Sequence, residues 1–459
     1  MEFQKAIGIL LLIILAIALF LRLYNIDKKS YGLDEEYSIG LALLPIKHLL
    51  IHPELDTHPP FYYIFLHYWI KLFGETEKST RSLSVVFGVA TIFIIYRLGT
   101  FLFNREVGII SSAIMAVSPF HIRYSQETRM YSLMVMLAVI SMYFFSRIMK
   151  EKTNRPIIFY IISSILLIYT HIFGLFILIV QNIYIITFQI FCKKPIINFR
   201  KWVLLQFIII IMFIPWIIVL IGKITQIQTG IFKNINWLTP PSIQRLFDTL
   251  INYASSSFNL LLFLIFSLIS IISYKYKNKF QEFTKNYLLI LCFFVPILVP
   301  FIISVTILPV YSEKYTIAAS VPLYILVANG VGKIKSRTKK WIVFLMIITL
   351  SLSGLASYYQ QKDFEPWRKA TNYIDQMANK GDLVIVIPNY AKNNFIRYST
   401  RRDITVEGER DIIEYDPERV WFVVRYIELN RSTNNYALIE KEKFEGITAY
   451  LFQKQNFGR

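Results

Sequence analysis

Long apolar runs separated by short polar segments dominate residues 1–357 of the chain. The runs measure about 16–22 residues, the length at which a helix crosses the hydrocarbon core of a bilayer. They predict about eleven transmembrane helices, near residues 6–21, 82–102, 106–122, 130–149, 157–171, 172–191, 202–222, 257–273, 287–307, 317–332 and 341–357. The pattern therefore indicates a polytopic α-helical membrane protein.

One further apolar segment, residues 58–73, does not fit this series. It is short and aromatic, and it carries His67 and Lys71. A helix of about 15 residues rises only about 22 Å, which is less than the thickness of the hydrocarbon core. We therefore expect an amphipathic helix in the outer interface, where Tyr and Trp side chains are favoured.

Charge supports this interpretation and orients the chain. Lys and Arg number 49 against 30 Asp and Glu, a formal net charge of +19, yet only 17% of residues are charged and 55% are hydrophobic. Basic residues fall in every second connection between the predicted helices, for example in 193–201 and 333–340. The positive-inside rule then places the amino terminus in the cytoplasm and the carboxyl terminus outside. No nucleic-acid partner is predicted, because the basic residues are those of cytoplasmic loops.

The chain changes character from residue 358 onwards. Residues 358–459 are polar, and they contain continuous apolar runs of strand length at Leu383–Pro388 and Val420–Val424. Trp367–Ala378 has helical spacing before the first of these runs. We therefore predict two domains, a transmembrane domain of residues 1–357 and a small extracytoplasmic α/β domain of residues 358–459.

Chemically versatile residues cluster in the outer loops. The first loop, about residues 24–81, contains Tyr31-Gly-Leu-Asp-Glu-Glu-Tyr37 and Asp56-Thr-His-Pro-Pro60, and the second ends in Gln-Glu-Thr-Arg129. Each piece has an ordinary structural explanation: an acidic helix cap, a proline-initiated helix and a local salt bridge. Their occurrence on one face of the membrane favours a functional site.

These pieces form part of an ordered series: Asp34-Glu35, Asp56-Thr-His-Pro-Pro-Phe-Tyr-Tyr63, Leu72-Phe-Gly74, Arg81-Ser-Leu-Ser84, Ser118-Pro119 and Tyr124-Ser-Gln-Glu-Thr-Arg-Met-Tyr-Ser132. The series resembles the GT-C superfamily of polyprenyl-phosphate-sugar-dependent glycosyltransferases. Within it, the chain is similar to the protein mannosyltransferase-like group, glycosyltransferase family 39. The resemblance covers about residues 30–135, and Lys314-Tyr315 matches a further basic-Tyr motif.

The resemblance implies a GT-C fold and an enzyme of the cell membrane. Such an enzyme moves a sugar from a polyprenyl-phosphate donor to an acceptor hydroxyl on the outer face, with inversion at the anomeric carbon. The expected partners are the lipid-linked donor, membrane lipids and a glycan, glycolipid or protein acceptor. The sequence leaves open the sugar, the acceptor and the choice between undecaprenyl and dolichyl carriers.

The resemblance also implies roles for individual residues. Asp34 takes the position of the catalytic base, and Glu35 orients the loop or shares that role. His58, Arg129 and Lys314 are the expected ligands of the donor phosphate. The expected sugar and acceptor cleft comprises Asp56, Tyr63, Glu127, Tyr131, His171 and Tyr315. No cofactor and no metal are predicted, although Asp34, Glu35 and Asp56 could in principle hold a divalent ion.

The chain departs from two groups of relatives. Lipid A aminoarabinose transferases have a Glu-Lys-Pro-Pro-like element where this chain has Thr57-His58-Pro59-Pro60. Eukaryotic protein mannosyltransferases carry an additional lumenal domain that no loop here is long enough to hold. Both departures bear on the acceptor rather than on the class of reaction.

Two other functional classes share this hydropathy pattern. A lipid or solute carrier would place charged or Gly/Pro-broken segments in paired halves near the membrane midplane. In this chain the ionisable residues instead crowd the predicted outer rim. A structural or sensor protein would give no reason for the Asp34 and His58-Pro-Pro series.

Overall fold

The computed structural model describes residues 2–51, 58–151, 153–191, 197–228, 239–272, 279–409, 417–426, 428–429 and 436–455. The chain forms two compact units. The helical unit comprises residues 1–24, 42–75 and 79–359, and the sheet unit comprises residues 25–41, 76–78 and 360–459. The acidic segment that follows the first helix therefore belongs to the same unit as the C-terminal residues.

Helices make up most of the chain before the C-terminal sheet. In order they are α1 (Glu2–Leu23), α2 (Leu33–Leu43), α3 (Ile46–Ile51), α4 (Phe61–Phe73), α5 (Glu77–Leu102), α6 (Arg105–Val117), α7 (Pro119–Ser125), α8 (Tyr131–Ile148), α9 (Arg155–Ile168), α10 (Gly174–Phe191), α11 (Phe199–Gln228), α12 (Ile243–Ala254), α13 (Ser257–Ile272), α14 (Lys279–Thr306), α15 (Ser320–Gly332) and α16 (Arg337–Gln360). Each apolar segment predicted to cross the membrane overlaps one or two of these helices.

Within the described residues, six helices are long and apolar enough to cross a membrane: α1, α5, α8, α11, α14 and α16. The pair α12 and α13, bent by 82°, would be a seventh span if counted as one. Helices α9, α10 and α15 are apolar but shorter, so length alone does not qualify them. The predicted fold class, a helical membrane protein with a small C-terminal α/β domain, is confirmed, whereas the count of eleven spans stays a prediction.

The predicted span 106–122 is divided into α6 and α7. Ser118 is extended, with φ −65° and ψ 116°, as expected of a residue that precedes proline. Its side-chain oxygen accepts a hydrogen bond from the His121 N–H at 3.4 Å, and Pro119 occupies the first helical turn. Ser118 therefore ends one helix and caps the next.

Helix α4 corresponds to the segment predicted as an amphipathic helix, and it begins directly after Pro59 and Pro60. It buries Tyr62, Tyr63 and two further residues on one face. Phe65 and Leu72, by contrast, are exposed. A short helix is therefore present as predicted, and its location in the outer interface stays a prediction.

Helices α13 and α15 approach each other at a glycine. A Cβ atom placed on Gly330 would lie only 1.8 Å from the carbonyl oxygen of Phe266. Nearby, Lys333 Nζ donates to the Ser270 carbonyl oxygen at 2.9 Å and Asn329 Nδ2 donates to Ser270 Oγ at 2.8 Å. Small residues and interhelical hydrogen bonds of this kind are typical of membrane helix bundles. They fix α15, the helix that follows Lys314-Tyr315.

The sheet unit contains a mixed five-stranded sheet among its described residues. The strands are β1 (Leu383–Ile387), β2 (Thr405–Gly408), β3 (Arg419–Arg425), β4 (Tyr436–Phe444) and β5 (Ile447–Lys454), in the order β2-β1-β3-β5-β4. β1 pairs in parallel with β2 and β3, and the other pairings are antiparallel. Every residue of β1 is buried, which explains its continuous apolar sequence.

Helices α17 (Trp367–Met377) and α18 (Lys392–Tyr398) complete the sheet unit. One core cluster includes Trp367, Phe395 and Trp421, and Leu33, the first residue of α2, packs against it. The start of α2 is therefore integrated into the hydrophobic core that the C-terminal residues form.

Candidate active site

The first turn of α2 carries three consecutive acids in different surroundings. Asp34 is exposed, whereas Glu35 and Glu36 are 6% and 7% exposed. The Gly32 N–H donates to Glu35 Oε2 at 3.1 Å, which closes the turn that begins the helix. Glu36 forms an ion pair with Arg397 through two hydrogen bonds. Of the three acids, Asp34 is therefore the one open to solvent.

In the helical unit, the three predicted phosphate ligands converge on a pair of tyrosine rings. Lys314 Nζ lies 5.7 Å and the Arg129 guanidinium 5.9 Å from the centroid of the Tyr131 ring. Lys314 Nζ also lies 5.7 Å from the Tyr315 ring centroid, and the His58 ring is 6.2 Å from the Tyr315 ring. The structure thus brings together basic side chains from three distant parts of the sequence.

His171 belongs to the same cluster. It lies in the turn between α9 and α10, and its ring stacks on the His58 ring with 4.8 Å between centroids. It is 1% exposed, and its Nδ1 accepts a hydrogen bond from the Phe173 N–H at 3.1 Å. The proton of the neutral ring therefore sits on Nε2. Among the residues that the structure describes, no acceptor lies within hydrogen-bond distance of that Nε2.

Burial lowers the pKa of His171 well below its ordinary value, and the charges of His58, Arg129 and Lys314 lower this pKa further. His171 is therefore a neutral N–H donor in positively charged surroundings. An anion with several acceptor oxygens would complement both features, because it offers charge to the cations and an acceptor to Nε2.

Hydroxyl groups of α4 and α5 hold the turn that carries Arg129. Ser84 Oγ donates to the Arg129 carbonyl oxygen at 3.3 Å, and Thr128 Oγ1 donates to Thr80 Oγ1 at 2.9 Å. The Tyr62 hydroxyl is hydrogen-bonded to Ser84 Oγ at 3.3 Å. The motif pieces around residues 62, 84 and 129 are therefore parts of one hydrogen-bonded support.

Arg22, near the end of α1, braces the start of the same segment. Its side chain is fully buried, and it donates to the Ala116 carbonyl oxygen at 3.0 Å, the Met115 carbonyl oxygen at 3.2 Å and Ser125 Oγ at 3.3 Å. The guanidinium thus satisfies carbonyl groups left over at the carboxyl end of α6. The sequence analysis missed this role, and its one available signal was an arginine inside an apolar helix.

The other predicted cleft residues have varied positions. Tyr63 is buried in α4, with its ring centroid 5.9 Å from that of Tyr62. Glu127 forms an ion pair with Arg123 at 3.4 Å. Asp56 lies outside the described residues. In the described part of the chain, no group of three or more His, Cys, Asp or Glu side chains is arranged to hold a metal ion.

Comparison with known protein families gives a match over the segment that contains much of this cluster. A family model described as dolichyl-phosphate-mannose-protein mannosyltransferase matches residues 57–219. This segment includes the predicted phosphate ligands His58 and Arg129, together with His171. No curated protein matches the sequence significantly.

Solved membrane enzymes share the fold. ArnT from Cupriavidus metallidurans bound to undecaprenyl phosphate is 11% identical, with a TM-score of 0.65 over 96% of this chain and 97% of ArnT. Its apo state is 10% identical, with a TM-score of 0.67 over the same shares of both chains. The archaeal oligosaccharyltransferase AglB from Archaeoglobus fulgidus, in complex with an inhibitory peptide and a dolichol-phosphate, is 12% identical, with a TM-score of 0.53 over 89% of this chain and 65% of AglB.

At such low identities the structural likeness shows the fold, and the family model adds a match in sequence over the segment that carries most of the motifs. The resemblance predicted from the sequence is thereby confirmed: this chain has the fold of the GT-C glycosyltransferases and is similar to their protein mannosyltransferase-like family.

Proposed function

We propose that the protein is a membrane glycosyltransferase that transfers a sugar from a polyprenyl-phosphate donor to an acceptor hydroxyl. The observation that carries the proposal is the cluster of His58, Arg129 and Lys314 around His171. Three basic side chains and a buried N–H donor in one place suit a phosphate group with its several oxygens. The solved structures of similar fold in complex with undecaprenyl phosphate and dolichol-phosphate support the same class of ligand.

The reaction assigns different roles to Asp34 and to the basic cluster. The acceptor oxygen forms a bond to the anomeric carbon as the bond from that carbon to the phosphate oxygen breaks. Asp34 accepts the proton of the attacking hydroxyl. The departing polyprenyl phosphate gains a negative charge, which Lys314, Arg129 and protonated His58 stabilise together with the Nε2–H of His171. A single displacement of this kind inverts the anomeric centre.

The direct test uses purified protein in lipid nanodiscs. Undecaprenyl phosphate and dolichyl phosphate serve as binding probes, and a panel of polyprenyl-phosphate hexoses and pentoses serves as donors. Membrane extract from a strain that lacks the gene supplies the acceptor. We expect one donor to release free polyprenyl phosphate with the sugar recovered on a component of the extract, and Asp34→Asn to slow that release by about 10²–10⁴-fold.

Two outcomes would contradict the proposal. One is binding of neither lipid phosphate together with no release from any donor. The other is movement of an intact lipid-linked sugar across a vesicle membrane without its hydrolysis or transfer, which would favour a carrier. The glycan and glycolipid profiles of the deletion strain and its parent would then identify the missing sugar and acceptor.

The proposal includes an orientation, with the amino terminus in the cytoplasm and the C-terminal residues outside. Tyr390, which is 69% exposed, is a suitable labelling position, whereas nearby Asn394 is buried. In a chain whose two native cysteines are replaced by serine, Tyr390→Cys should react with a membrane-impermeant maleimide added to intact cells. Reaction only after the cytoplasmic side is opened would reverse the orientation.

A further inference from the structure

A single helix of the C-terminal region, α18, holds residues on both sides of Asp34. The Tyr31 N–H donates to the Tyr398 hydroxyl oxygen at 2.8 Å, and Asn394 Nδ2 donates to the Tyr31 carbonyl oxygen at 3.0 Å. Both backbone groups of Tyr31 are therefore bonded to side chains of α18. This fixes the chain three residues ahead of Asp34.

Two residues after Asp34, Glu36 is held by the same helix. Arg397 donates to both carboxylate oxygens of Glu36, with 3.1 Å between Nη2 and Oε1. The paired side chains are 15% and 8% exposed, so water screens them little. The Arg397 guanidinium also lies 5.6 Å from the centroid of the Tyr31 ring. One arginine thus contacts residues on either side of Asp34.

Other contacts within the sheet unit make this attachment rigid. The Ser30 N–H donates to Asp363 Oδ2 at 2.8 Å. The Tyr398 hydroxyl, which accepts from Tyr31, donates in turn to Glu77 Oε1 at 2.7 Å, and Arg368 also donates to Glu77. Each of these polar groups is matched by a partner, and such networks confer a specific conformation.

We propose that Arg397 is a positioning residue for transfer: through Glu36 and Tyr31 it fixes the turn that presents Asp34, which makes the C-terminal domain part of the catalytic apparatus. This inference rests on the proposed function, because it assumes that Asp34 accepts the proton. It assigns a role to the third acid, Glu36, which the sequence motifs do not. Glu36 supplies the carboxylate that binds Arg397 of the C-terminal domain. Asp34 stays exposed between the two fixed residues, Tyr31 and Glu36.

The same helix offers a matched control. Lys392 on α18 forms an ion pair with Glu407 at 2.7 Å, and these side chains are 30% and 24% exposed. Lys392→Ala therefore removes an ion pair from the same helix without removing a partner of residues 30–36. A general loosening of the sheet domain would affect Arg397→Ala and Lys392→Ala alike, whereas loss of positioning would affect Arg397→Ala alone.

The experiment compares the unmodified full-length protein with Arg397→Ala, Arg397→Lys, Lys392→Ala and the exchanged pair Glu36→Arg with Arg397→Glu. For each, kcat and the KM for the active donor are measured in nanodiscs, with undecaprenyl phosphate affinity and thermal unfolding alongside. We expect Arg397→Ala to lower kcat by about 10²-fold, since a small misplacement of a catalytic group has effects of this size. Undecaprenyl phosphate affinity should not change.

Arg397→Lys should recover part of kcat, because lysine keeps the charge but not the two-point geometry, and the exchanged pair should recover part of it too. Lys392→Ala should turn over normally. Retention of wild-type kcat by Arg397→Ala would overturn the inference, as would equal losses of kcat and thermal stability in Arg397→Ala and Lys392→Ala. Absence of turnover in the unmodified protein would instead overturn the proposed function, and this inference with it.

Discussion

The helical unit and the sheet unit hold their candidate functional residues by different means. In the helical unit, Arg129 is supported by uncharged hydroxyl and carbonyl groups, such as Ser84 Oγ. In the sheet unit, the turn around Asp34 is held by an ion pair, Glu36 with Arg397, and by side chains that bond the Tyr31 backbone. Hydroxyl groups therefore hold the backbone at Arg129, whereas an ion pair holds the turn that carries Asp34.

This difference suggests a division of labour. If the basic side chains of the helical unit bind the donor phosphate, nearby carboxylates would compete with that phosphate, and neutral supports avoid the competition. The turn that carries Asp34 has a different requirement. It must hold the carboxylate in a fixed position, and it does not have to attract an anionic ligand. Changes in the helical unit should therefore alter donor affinity, and changes in the sheet unit should alter turnover.

The largest effect is expected for Asp34→Asn. The amide keeps the shape of the side chain but cannot accept the proton, so turnover should fall by about 10²–10⁴-fold, the usual contribution of general-base catalysis. Undecaprenyl phosphate affinity should not change. Turnover is measured with saturating donor, and Glu35→Gln is tested in parallel, because its amide oxygen can still accept from the Gly32 N–H. If Asp34→Asn kept more than half the turnover while Glu35→Gln lost it, the roles of the two acids would be exchanged.

Lys314→Ala should produce the next largest effect, this time on affinity. A charge-assisted hydrogen bond contributes about 1.5–3 kcal/mol, so undecaprenyl phosphate should bind roughly ten- to a hundredfold more weakly. Acceptor affinity should change little. Lys71, an exposed lysine of α4, provides the control variant Lys71→Ala. Unchanged lipid affinity in both Lys314→Ala and His58→Ala would mean that the phosphate binds elsewhere.

His171→Phe should weaken binding of undecaprenyl phosphate by about tenfold, the lower end of the range for a hydrogen bond to a charged group. Phenylalanine preserves a flat ring beside His58 but has no N–H to donate. Calorimetric titration with undecaprenyl phosphate measures the change, and thermal unfolding checks that packing is retained. Unaltered affinity in a folded variant would remove His171 from the set of phosphate ligands.

The smallest expected effect is a pH dependence that originates at His58. Histidine is the side chain that changes its charge within the physiological pH range, and only the protonated ring attracts phosphate. Affinity should therefore fall severalfold as the pH rises from about 6 to 8 and the ring loses its proton. His58→Lys should flatten the profile, since lysine stays charged over this range. A profile of the same steepness in His58→Lys would assign the titration to another group.

The sequence was sufficient to predict the apolar helices and the two buried strands β1 and β3, but only some of the functional contacts. Apolar runs located the helices, because each run has to bury its own backbone polar groups in a membrane. Pro119 gave a local reason for the break between α6 and α7, yet the hydropathy of residues 106–122 concealed it. Continuous apolar runs also predicted β1 and β3, since strands buried on both faces lose the usual alternation.

What the sequence could not supply were contacts between distant residues. Motif resemblance singled out Asp34, Arg129 and Lys314 as candidates, but nothing near Glu36 in the sequence indicates that its partner is Arg397. His171 was a weak candidate by position, and only the bond from the Phe173 N–H reveals which of its nitrogens carries the proton. Long-range pairings of this kind depend on the packing of whole elements, which periodicity does not encode.

The environment of Arg22 has a consequence for the order of events in membrane insertion. Its guanidinium belongs to the first helix, but it donates to the carbonyl oxygens of Met115 and Ala116. Both residues lie in the last turn of α6. While α6 is still being synthesised, α1 has no protein groups of that helix to satisfy its buried charge, and the arginine must stay where lipid headgroups and water can solvate it. We therefore expect the first helix to reach its final depth only when the third long segment arrives and its carbonyl groups can accept the Arg22 hydrogen bonds.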